Sequence, residues 1–492
     1  MKYMGFSRHI LAAAMLFAAG AVVAEDSRPF MATGFKICEV TSDRAIIWTR
    51  LTREASRVND SHPQPDIFYI HPETGGLVPR GRGRRSRTPV VIWPKGYTID
   101  TIDGAVPGLD GEVRVSYRQS ESDDVWKETG WGKVDVDRDF TKQVQLEELE
   151  AGTVYELRVE SRRNGLPGQM REGSFKTAPS ADLASKVVFT VITGQGNNGQ
   201  ESSRGYRIYP QMRKLNPDFF VNAGDILYYD SRAKTLPLAR WHWQRVFSFP
   251  TQVAFHQEVP SYFIKDDHDT WMNDSYPGLD TKFMGEFTFE QGQAVFLEQV
   301  GIGERTWRTA RWGKDLQVWM VEGRDYRSKH TDPDGPEKTI WGKDQKEWFF
   351  ETVKASDATF RVLISPTPIV GPDRDRKNDN HANEGFATEG NEIRRFLASQ
   401  KNMAVICGDR HWQYVSLDAE TGVREYSSGP ASDGHAGGWK QSDVRPEHRY
   451  LNVVGGFMSG TVERVDGTPT LTFRHYSVGG DVLNEDVIQA GN

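Results

Sequence analysis

The chain has few cysteines, no excess of positive charge and no long apolar run beyond its N-terminus. Its two cysteines, Cys38 and Cys407, lie far apart in sequence, which excludes a disulfide framework and leaves both as buried thiols. A formal net charge of -7 gives no bulk electrostatic reason for nucleic acid to be a structural partner. No stretch after the first 24 residues reaches the ~18 apolar residues of a membrane-spanning helix. Internal repeats and low-complexity tracts are absent as well. What is present is the composition of a soluble globular protein: 492 residues, 37% hydrophobic and 26% charged, with 14 tryptophans, enough for two or three domains. The opening segment has a basic start (Lys2, Arg8), an apolar core from Ile10 to Ala21 and small residues at Val22-Val23-Ala24. It reads as a signal peptide over 1–24, making the mature protein secreted or periplasmic. One basic loop, "PRGRGRRSR" at 79–87, reads as a solvated insertion or as a patch for an anionic partner.

Two regions differ in pattern. Between 30 and 178 the apolar residues alternate in short runs, "RAIIWTRL", "EVRVSYRQ", "TKQVQLEEL" and "VYELRVESRR", which predict strands of period two. Tyr155, just after a Gly-Thr turn, suggests the tyrosine corner of an immunoglobulin or fibronectin III-like sandwich. The segment 52–110 reads as an insertion between two of its strands, and 176–185 as a linker. From 186 to 492, buried apolar runs ending in polar residues or glycine alternate with helical segments. That pattern predicts an α/β domain, whose ligands gather at the carboxyl ends of the strands.

Three of those strand ends carry the chemistry. "FVNAGDILYYD" (220–230) ends an apolar run in Gly224-Asp225, with Tyr228 three residues on; "DDHD" (266–269) and "GDRH" (408–411) close two later runs. Carboxylates this crowded repel one another unless cations lie between them. Asp, Tyr and His together suit iron, zinc, manganese or calcium. A pair of such ions clamps the oxygens of a phosphate ester and activates a water. His268 is placed to protonate the leaving oxygen, with Asp269 as the residue that orients its ring.

With these motifs the region 186–492 resembles the PhoD-like (alkaline phosphatase D) branch of the calcineurin-like metallophosphoesterases. "VEGRDYR" (321–327) and "DQKEWFFETVKAS" (344–356) are similar to two further family stretches. The resemblance implies an α/β/β/α metallophosphoesterase sandwich preceded by an immunoglobulin-like domain, with small-molecule phosphate esters as substrates. It further implies two metal ions, iron and calcium, with zinc or manganese as alternatives. Asp225 would bridge them. Tyr228 and His411 would bind the first ion, Asp267 and Asp409 the second, with Asn222 as a further ligand, and His268 would be the catalytic histidine. The family's cysteine ligand corresponds to Gly194, so either a neighbour such as Gln195 or Asn197 replaces it or the first site is weak. Ser365 occupies the place of a histidine ligand, for which His381 is a candidate substitute; Arg324, His381 and His435 are candidate substrate contacts. A diesterase, a hydrolase of a related anion such as sulfate, and a non-catalytic extracellular binding protein are the competing readings.

Overall fold

A computed structural model describes residues 27–491 except 60, 80, 82–85, 121–124, 197, 198 and 304. The segment 1–24, most of the basic loop and Asn197 lie outside the described residues.

Two large sheets face each other. In the first, parallel strands Val187–Ile192, Phe219–Ala223 and Ser261–Ile264 lie side by side. In the second, Leu316–Met320, Phe360–Ser365, Met403–Cys407 and Arg424–Ser428 are likewise parallel. Alternation along each strand assigns its side chains to two layers. Phe219, Val221 and Ala223 point between the sheets, where they share a core with Trp312, Val362, Ile364 and Ile406. Phe220, between them in sequence, packs outward with Tyr209, Trp243 and Phe296 from the helices. Leu363 and Val405 of the second sheet pack outward against Phe349 and Ile393, on helices Lys343–Ala355 and Ala387–Ala398. The result is four layers, α/β/β/α.

The N-terminal region is all-β, but it is not a free-standing unit. Phe35–Cys38, Ala45–Arg50 and Thr141–Leu146 continue the first sheet to nine strands, through a parallel pairing of Cys38 with Ser261. Glu112–Gln119, Val154–Arg163 and Leu166–Lys176 form the facing sheet, and one hydrophobic core runs from Phe35 and Val159 through to Phe189 and Phe360. The division placed at 178–186 is therefore a division neither of sheet nor of core. Tyr155 does make the bond that marks its turn: its hydroxyl accepts from the Glu150 N–H at 2.9 Å. The insertion 52–110 holds a small sheet of its own. It docks on the helix Leu236–Phe247, where the carboxylate of Asp103, with 5% of its side chain exposed, binds Arg245 at 3.0 Å and Arg57 at 3.2 Å. Cys38 and Cys407 are both buried and free. Among the described residues no helix is long and apolar enough to cross a membrane.

Candidate metal centre

The parallel strands of both sheets end on one side, and two glycines let their ends meet. A Cβ on Gly408 would lie 2.3 Å from the Ala223 carbonyl oxygen and 2.6 Å from that of Pro366; one on Gly224 would lie 2.8 Å from Asp266 Cβ. No other residue fits either approach. The acids that follow take left-handed backbone, Asp225 at φ 56° and Asp409 at φ 62°. This conformation is sparsely populated outside glycine, and Asp tolerates it better than most residues.

Three donors converge at the first strand ends. The Tyr228 hydroxyl donates to Asp225 Oδ2 at 3.0 Å and lies 2.9 Å from His411 Nε2, which is itself 3.8 Å from Asp225 Oδ2. Burial holds His411 and His435 each down at about 4, so both rings are neutral and able to bind a cation. A second cluster is carboxylate: atoms of Asp225, Asp266 and Asp409, and again of Asp225, Asp267 and His268, lie within 4.8 Å of one another. Burial pushes Asp225 and Asp409 each up to about 6, against the lowering effect of His268 on the first and of Arg410, 2.8 Å from Asp409 Oδ2, on the second. Asp225 Oδ1 and Asp266 Oδ2 are buried with no hydrogen-bond partner among the described residues; Arg324 offsets the charge of Asp266 through its other oxygen, but an orphaned Asp225 oxygen is costly unless something cationic is supplied. The donors therefore fit two cations, one facing phenol and imidazole, the other facing carboxylates alone.

His268 stacks on Tyr228, with ring centroids 3.9 Å apart, and its Nδ1 lies 3.0 Å from Asp230 Oδ1. Burial opposes charge on this ring, but the carboxylates of Asp230, Asp267 and Asp225 outweigh it and raise its pKa well above the usual histidine value. The orienting residue is thus Asp230 and not Asp269. Asp269 is fully buried and occupies the third position of a short helix. Its side chain turns back to accept from the Asp266 N–H at 2.5 Å, and from the Ile226 N–H at 3.0 Å. It is a strut between two site loops. Asp269→Ala is expected to lower unfolding free energy by about 2–6 kcal/mol, at about 1–3 for each of two buried unsatisfied donors, as measured by urea denaturation. Lost activity with unchanged stability contradicts the strut role.

Other candidates fall elsewhere. Asn222 Oδ1 accepts from the Gly224 N–H at 3.3 Å and so stabilises the turn, while its Nδ2 is buried without a partner among the described residues. Arg324 is fully buried beneath the acids, 2.5 Å from Asp266 Oδ1, and neutralises that carboxylate from below instead of facing substrate. His381 is 0% exposed, with Nε2 2.9 Å from Glu389 Oε2; it belongs to neither donor group and lines a cavity beside the centre. Ser365 donates to the Thr367 carbonyl at 2.7 Å. Gln195 is turned into the core, where Tyr209 and the Ile226 carbonyl engage its amide. His435 does stand at the centre, its ring 4.1 Å from that of His411 and 5.1 Å from that of Tyr228.

A cavity of about 100 Å³ opens on this cluster, lined among others by Asp225, Asp267, His268, Asp409 and His411, with Arg374, Lys377 and Trp412 on its wall. Arg374 and Lys377 also line a neighbouring cavity of about 640 Å³. The sequence motifs single out neither of these two cations nor Asp230, although Asp230 lies only five residues after Asp225.

Comparison with known proteins agrees with the geometry. Residues 189–449, more than half of the chain, match the family model described as PhoD-like phosphatase. A solved structure of PhoD superposes with a TM-score of 0.69 at 17% identity, over 94% of this chain and 91% of that one. The purple acid phosphatase PPD1 from yellow lupin (Lupinus luteus) seeds superposes with a TM-score of 0.60 at 12% identity, over 92% and 74%. At these identities the two structures establish the metallophosphoesterase fold. No curated protein matches the sequence. The family match, with the acid and histidine clusters where that fold's strands end, makes this chain a phosphoesterase belonging to the PhoD-like phosphatase family.

Proposed function

We propose that the chain is an exported hydrolase of small-molecule phosphate esters that works with two metal ions bridged by Asp225. Tyr228 and His411 would hold the first ion, and the donor types suit iron, zinc or manganese. Asp267 and Asp409, with Asp266 beside them, would hold the second, where an all-carboxylate set suits calcium. The single observation that carries this reading is Asp225 Oδ1, a buried carboxylate oxygen without a donor among the described residues, at the junction of the two ligand groups. Bound there, the ions would polarise the phosphoryl oxygens and make water nucleophilic near neutral pH. The protein's own part falls to three groups. His268, held protonated by Asp230, gives its Nε2 proton to the leaving oxygen. Lys377 and Arg374 on the cavity wall attract the remaining negative charge of the ester. Trp412, 1% exposed, closes one side against water. Export is supported by the leader-like pattern of 1–24, and an immunoglobulin-like plan for the N-terminal strands by the Tyr155 bond.

A second reading, a phosphodiesterase, is favoured by the 640 Å³ cavity that shares Arg374 and Lys377 with the site, since a second ester arm could lie there. Turnover of nitrophenyl phosphate against bis(nitrophenyl) phosphate, with metals supplied, separates the two. Hydrolysis of neither removes both.

A further inference from the structure

The first cation group has three side-chain donors, Asp225, Tyr228 and His411, and a four-coordinate site has room for one more, from protein or from water. The strand end nearest this group, at Thr193–Gln195, supplies none from described side chains: Gly194 has no side chain and Gln195 is engaged in the core. Opposite it stands His435, in the loop after strand Arg424–Ser428.

That loop is held firmly. Pro430 pairs with Thr193, the His435 N–H donates to the Ser432 carbonyl at 3.1 Å, and the Gly437 N–H donates to the His411 carbonyl at 2.9 Å. Asp433 Oδ1 accepts from the Gly455 N–H at 3.0 Å. The imidazole is oriented too. Its Nδ1 lies 2.8 Å from the Gly194 carbonyl oxygen, and since a carbonyl can only accept, Nδ1 carries the proton. Nε2 is then the unprotonated nitrogen with a free lone pair, and among the described residues nothing bonds to it. A histidine that donates from one nitrogen to a backbone carbonyl, with its ring 4.1 Å from that of His411 and 5.1 Å from that of Tyr228, has the arrangement of a metal-binding histidine with its outer partner. Space at residue 194 matters as well: a Cβ there would lie 3.2 Å from His411 Cδ2 and from Pro430 Cβ, on backbone at φ +58°. Glycine leaves the His411 ring and the His435 loop where they are.

We infer that His435 is a metal ligand of this chain, its Nε2 completing the Asp225–Tyr228–His411 group from the side where residue 194 offers nothing. This rests on the two-cation reading above and extends it. The first site is then two imidazoles, one phenol and one carboxylate, with no thiolate.

The test uses full-length metal-stripped protein with cobalt(II) as the probe of the first site and calcium of the second, each followed by calorimetry. Proton NMR of the cobalt form counts the shifted, exchangeable N–H signals of coordinated histidines. Wild type is expected to show two such signals. His435→Ala and His435→Gln are each expected to show one, and to bind cobalt more than about 100-fold more weakly, beyond the usual loss on removing an outer-shell partner. Calcium affinity should stay within about twofold, which also reports that the variants are folded. His435→Gln keeps an N–H able to reach the Gly194 carbonyl. Wild-type cobalt affinity in that variant, or two histidine signals, would mean that His435 props the loop and ligates nothing, overturning the inference. If wild type binds neither ion, the two-cation reading fails and takes this inference with it.

Discussion

Asp225→Asn is expected to abolish phosphate-ester hydrolysis and to leave the chain folded. The carboxylate lies within 4.8 Å of ligand atoms of Asp266, Asp267, His268 and Asp409 in its two groups, and its Oδ2 is 3.0 Å from the Tyr228 hydroxyl. It is the one residue common to both donor groups. Asparagine keeps the shape and tolerates the left-handed φ of 56°, but offers one neutral oxygen where two charged ones served two cations. Stability should move the other way. Burial raises the folded pKa of Asp225 to about 6 from an ordinary 3.8. Any stability gained from that protonation is present below about 3.8 and lost as pH rises through about 6. At neutral pH the metal-free wild type therefore carries an unfavourable buried charge, which asparagine lacks. Metal-free Asp225→Asn should melt no lower than metal-free wild type at pH 7, and metal addition should raise the melting temperature of wild type only. Near wild-type turnover in the metal-loaded variant would remove Asp225 from the bridging position.

His268→Ala is expected to lower turnover by about 10²–10⁴, the range for a general acid, and the loss should depend on the leaving group. An alkoxide leaving group needs the proton, whereas a nitrophenolate leaves without it, so the deficit should shrink on nitrophenyl phosphate. The stacking of His268 on Tyr228 and its contact with Asp230 supply an internal control. Asp230→Asn, which keeps the ring in place but removes the charge that holds it protonated, should show the same leaving-group trend with a smaller deficit. An equal loss on good and poor leaving groups would make His268 a positioning residue.

Much of this centre is legible in the sequence because its signals are local. An apolar run closed by Gly-Asp states both a buried strand and the turn that ends it, and Gly224-Asp225 and Gly408-Asp409 stand at such ends, after Phe219–Ala223 and Met403–Cys407. The layers follow from alternation, as with Phe219 and Phe220 on opposite faces. What sequence hides is long-range pairing and side-chain direction. Asp269 adjoins His268, yet a helix-capping position turns it backward, and the residue that meets the imidazole is Asp230, 38 positions away. His381 and Arg324 looked available as charged groups near motifs; their partners, Glu389 and Asp266, are 8 and 58 residues off. The N-terminal strands alternate as a sandwich should, but nothing local states that Cys38 pairs with Ser261 and makes them the edge of the larger sheet.

Chelation followed by stepwise return of metal, with bound ions counted per chain and phosphate release followed at each step, tests the central claim most directly. The account predicts that stripped protein is inactive yet folded. Activity should return only as the second equivalent binds, with two ions per chain at full rate. Full activity in stripped protein, or at one ion per chain, would contradict a centre in which Asp225 joins two cations.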